Sequence, residues 1–177
     1  MSSSATSQFQ LDPKTATFLR EHYAGEFERE LPVTAKVISS VPASKAGYRP
    51  DEKSRTATEL LDHIVRADVW FLNGIADLKF DPAAMDALPV PTDPQKAAEW
   101  YQQNVTSGMQ RARALSAEQL LTPVDFFGSF NLPAVLYLGF LLKHSIHHRA
   151  QLGTYLRPMG SKVPDIYGGS ADFPWEG

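Results

Sequence analysis

The 177-residue chain contains no cysteine. Disulfide bonds, thiolate zinc sites, iron–sulfur clusters and cysteine nucleophiles are therefore excluded. A surplus of basic residues is missing too, because 17 Lys and Arg stand against 20 Asp and Glu, which gives a net charge of -3 with neutral histidine. Nucleic-acid-binding proteins usually carry a clustered positive surplus, so we expect no nucleic-acid partner.

Long apolar runs are also absent. The longest run, residues 132–142, falls short of the roughly 18 residues that a membrane span requires. The opening sequence, MSSSATSQFQ, has neither the basic part nor the apolar part of a secretory signal. We expect a cytoplasmic protein with no membrane contact, in which residues 1–11 form a flexible N-terminal segment.

Hydrophobic residues make up 43% of the chain, which is enough to form a buried core in one domain. Four segments carry apolar residues at three- and four-residue steps, the period of a helix with one buried face. The predicted helices cover residues 13–41, 56–78, 94–115 and 133–156. No segment alternates with period two for long enough to predict a sheet. The pattern predicts an all-α four-helix bundle with longer connections, formed by residues 12–177 as one domain.

Several local signals support these boundaries. Asp12 and Asp93 each precede a proline at the first helical position, and Thr56 begins a capping box. Pro32 lies inside the first pattern and predicts a kink or a split there. A short turn is predicted at the start of the connector at residues 116–132. The connector also carries three phenylalanines to which no secondary structure is assigned. The Gly- and Pro-rich tail is predicted to be an ordered coil packed on the bundle.

Three of the five histidines lie within one turn of the predicted fourth helix. His144 and His148 are four residues apart and therefore share a face, which also carries apolar residues and points into the bundle. Two imidazoles at this spacing can bind one divalent ion, but two ligands alone bind weakly. His63 on the predicted second helix is the best candidate for a third ligand, because small residues at Ala67 and Gly74 leave room beside it.

Other interpretations of the histidines remain open. His63 and the HxxxH pair are also compatible with structural histidines, and without the glutamate of HExxH the pair does not match a zincin motif. His147 is an alternative ligand in place of His144 or His148, and His22 is interpreted as structural or exposed. A set of acidic residues on the predicted helices is interpreted as solvated: Glu59, Asp62, Asp68 and Glu99.

Two segments resemble a known family. Residues 144–152, HSIHHRAQL, followed by the Tyr-Leu-Arg of residues 155–157, resemble the fourth-helix signature of the DinB family of damage-inducible, YfiT-like metalloproteins. Residues 59–64, ELLDHI, followed by the Trp-Phe-Leu of residues 70–72, resemble the second helix of that family, and residues 163–172 are similar to the tail of one branch. Ala150 departs from the pattern, since many relatives carry glycine there.

The resemblance implies an up-down-down-up bundle with a long crossover, a homodimer, and a divalent metal ion held by His63, His144 and His148. Imidazole ligands suit Zn, Ni and Fe alike, so the sequence does not identify the metal. Some relatives are similar to transferases that use low-molecular-weight thiols such as bacillithiol or mycothiol.

From this resemblance we expect a metal-dependent enzyme, a thiol S-transferase or a hydrolase, that acts on a small-molecule substrate. Gln151 or Tyr155 would orient a ligand or the substrate, and no catalytic residue is assigned. The alternative is a non-catalytic metal-binding protein of the stress response. A plain structural bundle with polar residues in its core is a third reading.

Overall fold

The computed structural model describes residues 11–175, so the predicted flexible segment at residues 1–11 lies outside this range except for Leu11. The described residues form mostly α-helix with one small antiparallel sheet, as the sequence predicts for the all-α class. In chain order the elements are α1 (Pro13–Ser39), a 3-10 turn (Ala43–Lys45), α2 (Ala57–Ala76), α3 (Pro82–Asp86), α4 (Pro94–Arg113), α5 (Ala117–Leu121), β1 (Pro123–Phe126), β2 (Phe130–Pro133) and α6 (Ala134–Leu156).

Side-chain caps fix the starts of three long helices. The carboxylate of Asp12 accepts a hydrogen bond of 2.7 Å from the backbone N–H three residues later. Asp93 does the same at 3.0 Å. Thr56 and Glu59 form a reciprocal capping box. The backbone nitrogen of Thr56 is 2.8 Å from Oε2 of Glu59, and the backbone nitrogen of Glu59 is 3.2 Å from Oγ1 of Thr56. These contacts satisfy backbone N–H groups that the first turn of a helix leaves unpaired, and they confirm the predicted starts.

Pro32 does not split α1, which is continuous from Pro13 to Ser39. Proline removes one N–H from the helix and leaves one carbonyl oxygen without its usual partner. That carbonyl belongs to Glu28, and both Glu28 and Pro32 are exposed, so it lies on the solvent side, where water can bond to it. Of the two predicted outcomes the split is therefore wrong, and the kink stays a prediction.

The four long helices form a bundle in which α1 and α2 each pack against α4 and α6 and occupy diagonal corners. In the first half of α1 and of α6, Tyr23 lies against Gly139. Further along both helices Glu30 pairs with Arg149, so α1 and α6 run in the same direction.

The directions of α2 and α4 follow from the contacts that α4 makes with α2 and with α1. The hydroxyl of Tyr101 contacts Asp68, and further along both helices Gly108 packs against Leu72, so α2 and α4 are parallel. Gln95, at the start of α4, donates a hydrogen bond to the backbone at the end of α1, so those two helices are antiparallel. The topology is up-down-down-up, as the resemblance implies.

The aromatic connector contains a hairpin that the sequence analysis did not predict. Val124 pairs with Leu132 between β1 and β2, and the turn includes Phe127 and Gly128, both with positive φ, at 55° and 70°. The prediction that no sheet forms is therefore wrong for this segment. Each strand has four residues, which is too short for an alternating pattern to stand out from its surroundings.

The C-terminal coil returns along the outside of α1 and α6. Arg149 is almost completely buried and pairs with Glu30, and its Nη2 donates a hydrogen bond of 2.6 Å to the hydroxyl of Tyr167 in the coil. That hydroxyl donates in turn to Glu30 at 2.9 Å. The coil is thus attached to the bundle through a buried ion pair. Among residues 11–175 no helix has both the length and the hydropathy to cross a bilayer.

Candidate metal centre

The adjacent helices α2 and α6 bring three of the predicted site residues together. The Nε2 atom of His63 on α2 lies 3.2 Å from the Nε2 atom of His144 and 3.2 Å from that of His148, both on α6. One ring nitrogen from each histidine falls within a group whose members are no more than 4.8 Å apart. All three side chains are half-buried.

The positions of these nitrogens fit a shared cation. Two nitrogens that each lie about 2.0–2.1 Å from a tetrahedral ion are about 3.3 Å from one another, close to the observed separation. Two of the other ring nitrogens face acceptors: Nδ1 of His144 is 3.3 Å from Oδ1 of Asp68, and Nδ1 of His148 is 2.8 Å from Oε1 of Gln151. Both Nδ1 atoms therefore carry the proton, which leaves the Nε2 lone pairs directed toward the centre.

Asp68, the partner of His144, is the residue for which the predicted environment is wrong. It was expected to be solvated, but it is completely buried on α2. Its second oxygen accepts a hydrogen bond of 2.8 Å from the hydroxyl of Tyr101 on α4. Burial and the charge of Asp68 raise the pKa of Tyr101 well above its usual value, so the hydroxyl remains a donor. The sequence carries a signal for the burial of Asp68, because this residue lies one helical turn from both Ile64 and Leu72, inside the apolar stripe of α2.

The other predicted acidic residues behave as expected or form local contacts. Glu59 and Glu99 are exposed, and Asp62 forms an ion pair of 2.7 Å with Arg66, one turn along α2. Such surface residues contribute little to the site. Asp68 is therefore the member of that set which contacts the histidine cluster, through His144.

The remaining histidines lie outside the cluster. His147 is exposed, and its Nε2 accepts a hydrogen bond of 3.0 Å from the amide of Gln151. The same amide thus links His147 to His148 through its nitrogen and its oxygen. His22 is exposed on α1 and contacts the rings of Phe18 and Tyr23. The assignment of His63, His144 and His148 as ligands remains a prediction, and the geometry groups these three.

The electrostatic environment keeps two of the three imidazoles neutral. Burial lowers the pKa of His63 to about 4, with further contributions from the positive charge of Arg55 and from the other two histidines. Burial also lowers the pKa of His148, against an opposing contribution from its hydrogen bond to Gln151. Neutral imidazole is the form that binds metal, so near neutral pH protons do not compete for these two nitrogens.

Two recesses flank the cluster. On the side of His148 lies an open cleft of about 410 Å³, whose lining includes Arg55, Gln151 and Tyr155. The hydroxyl of Tyr155 donates a hydrogen bond of 3.3 Å to the backbone carbonyl of Arg55. On the side of His144 the ring of Phe71 approaches to a centroid distance of 5.8 Å and also lines an aromatic recess. A small molecule in the cleft would therefore meet His148 directly.

Comparisons with known proteins found matches over most of the chain. The model of the DinB family matches residues 1–175. The uncharacterized protein YrdA of Bacillus subtilis (strain 168) is 29% identical over 149 residues, which cover 84% of this chain and 87% of YrdA. The uncharacterized protein YjoA of the same strain is 27% identical over 137 residues, which cover 76% of this chain and 87% of YjoA.

Solved structures show the same fold. The crystal structure of the DinB-like protein YjoA from Bacillus subtilis superimposes with a TM-score of 0.69 at 25% identity, over 82% of this chain and 97% of that one. A DinB-like protein from Bacillus cereus ATCC 10987 also gives a TM-score of 0.69, at 28% identity, over 83% of this chain and 97% of that one.

Proposed function

The chain belongs to the DinB family, and from this membership and the site we propose that it is a divalent-metal-dependent enzyme with His63, His144 and His148 as ligands. The observation that carries the proposal is the convergence of three Nε2 atoms while Asp68 and Gln151 engage the opposite nitrogens of two of the rings. Structural zinc sites usually have four protein ligands, whereas three leave a position for water or substrate. This favours a catalytic role for the ion.

The proposed chemistry is activation of a nucleophile beside the open cleft. A divalent ion on three neutral ligands lowers the pKa of a coordinated thiol or water into the neutral range. Asp68 and Gln151 hold the rings of His144 and His148 in the tautomer that ligation needs. Tyr101 in turn holds Asp68 through its second oxygen, so the orientation of His144 is fixed from the bundle core.

The reaction we propose is S-transfer with a low-molecular-weight thiol, of the kind that bacillithiol and mycothiol represent. The cleft has room for a small molecule beside His148, and no protein thiol competes for the ion, because the chain has no cysteine. A hydrolase would use the same open position for water. A metal-binding stress-response protein without catalysis is the alternative that the experiment below separates from both.

The experiment begins with the metal content of protein purified without a histidine tag. Protein loaded with Zn, Ni or Fe is then mixed with a thiol and a chromogenic electrophile, and separately with ester and amide substrates. Transferase activity that depends on the ion and disappears in the His148→Ala variant supports the proposal. Full metal content without any turnover supports the non-catalytic alternative, and absence of metal binding contradicts both.

We also propose that the protein forms a homodimer through an exposed aromatic face, made of Phe127, Phe130, Leu132 and Phe140. These side chains are 37–50% exposed, and the ring of Phe126 contacts each of the three phenylalanines at centroid distances of 4.8–6.4 Å. Contiguous apolar surface of this kind marks an interface more often than a free surface. A second copy suits it, because two uncharged faces meet without repulsion in a protein of net charge -3.

A further inference from the structure

Arg55 differs from the other arginines in the contacts of its charge. Among residues 11–175, seven of the nine arginines form ion pairs with carboxylates. Arg49 instead donates to a backbone carbonyl at 3.4 Å. The guanidinium of Arg55 has no ion pair or hydrogen bond with the described residues, and it is exposed. An arginine held beside a site with its donors unused is available to a ligand.

The backbone at Arg55 is fixed although the side chain is not engaged. Its carbonyl accepts the hydrogen bond from Tyr155, and the next residue, Thr56, is the cap of α2. Glu59 is close enough for Arg55 to lower its pKa, but that lowering comes first from hydrogen bonds that Thr56 donates to the same carboxylate. The backbone therefore fixes the point from which the Arg55 side chain extends beside the cleft. Its guanidinium forms no ion pair or hydrogen bond with the described residues.

The cleft brings Arg55 into the same recess as one histidine of the cluster. Arg55 and His148 both line it, and no Asp or Glu is among the described lining residues. The charge of Arg55 also contributes to the lowered pKa values of His63 and His148. Positive charge on the open side of the cluster would add to that of a divalent ion on neutral ligands, while Asp68, the buried carboxylate beside the cluster, lies behind His144. The cleft is therefore an attractive environment for an anion.

We propose that Arg55 is the anion-binding residue of this site and that the substrate is a small molecule bearing a carboxylate. The carboxylate pairs with Arg55 while the donor atom of the same molecule takes the position that the three histidines leave open. The planar guanidinium offers paired N–H donors that match the two oxygens of a carboxylate. This inference rests on the proposed metal-binding function and assigns its substrate class.

The test uses the full chain loaded with cobalt(II), whose visible spectrum changes when a thiolate coordinates. Three thiols of similar size are titrated: 3-mercaptopropionate, which is anionic, 2-mercaptoethanol, which is uncharged, and cysteamine, which is cationic. The wild-type protein should bind the anionic thiol about tenfold more tightly than the uncharged one, because a charge-assisted pair is added. Cysteamine should bind most weakly. Thiols with longer and shorter chains then report the span between Arg55 and the metal position.

The Arg55→Gln variant should lose most of that preference, bind 2-mercaptoethanol as the wild type does, and retain its full cobalt content. Arg29→Gln is the matched control, since it makes the same charge change at an exposed position on α1 outside the cleft lining. A preference that survives in Arg55→Gln overturns this inference and leaves the metal site standing. Failure of the wild type to bind cobalt overturns the proposed function and this inference together.

Discussion

Asp68 accepts a hydrogen bond from Nδ1 of His144 at 3.3 Å across the interface between α2 and α6, and Asp68 is completely buried. A buried carboxylate is costly unless it is hydrogen-bonded, and the second oxygen of Asp68 is engaged by Tyr101. The buried carboxylate of Asp68 therefore orients His144, one member of the histidine cluster. The orientation of His144 depends on three helices rather than on α6 alone.

The first prediction concerns the ligands. Wild-type protein should bind about one divalent ion per chain at the three-histidine cluster, and His63→Ala or His148→Ala should lose most of that ion, because two remaining imidazoles bind weakly. Metal content after dialysis measures the effect. His147→Ala is the matched control, since His147 is exposed and outside the cluster. Equal losses in His147→Ala and His148→Ala would show that the ligand set is wrong.

The second prediction concerns Asp68. Asp68→Asn should weaken metal binding about 10–100-fold, because the variant loses the carboxylate that orients His144 and raises its basicity. Tyr101→Phe should have a smaller effect in the same direction, since it removes only the donor to Asp68. Competition with a chromogenic chelator measures both.

The control for that experiment is Asp62→Asn, a change of the same type on the same helix at a position that pairs with Arg66. It should leave metal affinity unchanged. Thermal melts of the metal-free variants separate lost folding from lost orientation. If Asp68→Asn folds and binds metal as the wild type does, the support that we assign to Asp68 is absent.

The third prediction concerns pH and the metal-free protein. The pKa of His63 falls from 6.5 to about 4 on folding, so below 6.5 the unfolded state takes up a proton that the folded state does not. The free energy of unfolding should therefore rise with pH between about 4 and 6.5 and lose this contribution as pH falls through that window. Urea midpoints across the window measure the slope.

Because carboxylates also titrate at low pH, the slope of a variant must be compared with that of the wild type. His63→Gln should flatten the slope, whereas His22→Gln, at an exposed histidine on α1, should leave it unchanged. The depressed pKa of His148 contributes in the same direction and will keep some slope in the variant. Equal slopes in wild type and His63→Gln would contradict the assignment.

The fourth prediction concerns assembly. Sedimentation at micromolar concentration should show a dimer, and the double variant Phe130→Ser, Phe140→Ser should shift it to a monomer by removing apolar area from the aromatic face. Phe18→Ser is the control, because Phe18 is 67% exposed on α1 and lies outside that face. A monomeric wild type, or a dimer that the double variant does not weaken, counts against this interface.

The fifth prediction is that the ion serves chemistry more than stability. The bundle buries an apolar core along all four long helices, so the metal-free protein should keep its helical circular dichroism and a cooperative melt. Metal should raise the melting temperature, because it binds only the folded state. Loss of the helical signal on chelation would make the ion structural and remove the main support for an enzyme.

Much of the fold could be predicted from the sequence because its signals are local. Caps at Asp12, Thr56 and Asp93 mark the starts of three long helices, and the helical period of apolar residues indicates the extent of all four. His144 and His148 share a face because four residues make about one turn. These features need no knowledge of distant contacts.

The features that the sequence analysis missed depend on distant contacts. A charged residue such as Asp68 is usually solvated, and although it lies within the apolar stripe of α2, its hydrogen bonds with Tyr101 and His144 are what make its burial possible. Arg149 is buried through Glu30, 119 positions away, and neither residue carries a local signal for the other. The hairpin was missed because its two strands pair over only four residues each.

The separation of the histidines along the chain determines at which stage of folding the three-histidine site can form. His63 and His148 are 85 positions apart, and α4 lies between them in the sequence. Closing so long a loop has an entropic cost that is offset only when α2 and α6 are already docked. A metal ion bound by these histidines would therefore be captured late, after the bundle has assembled, and would slow unfolding without accelerating folding.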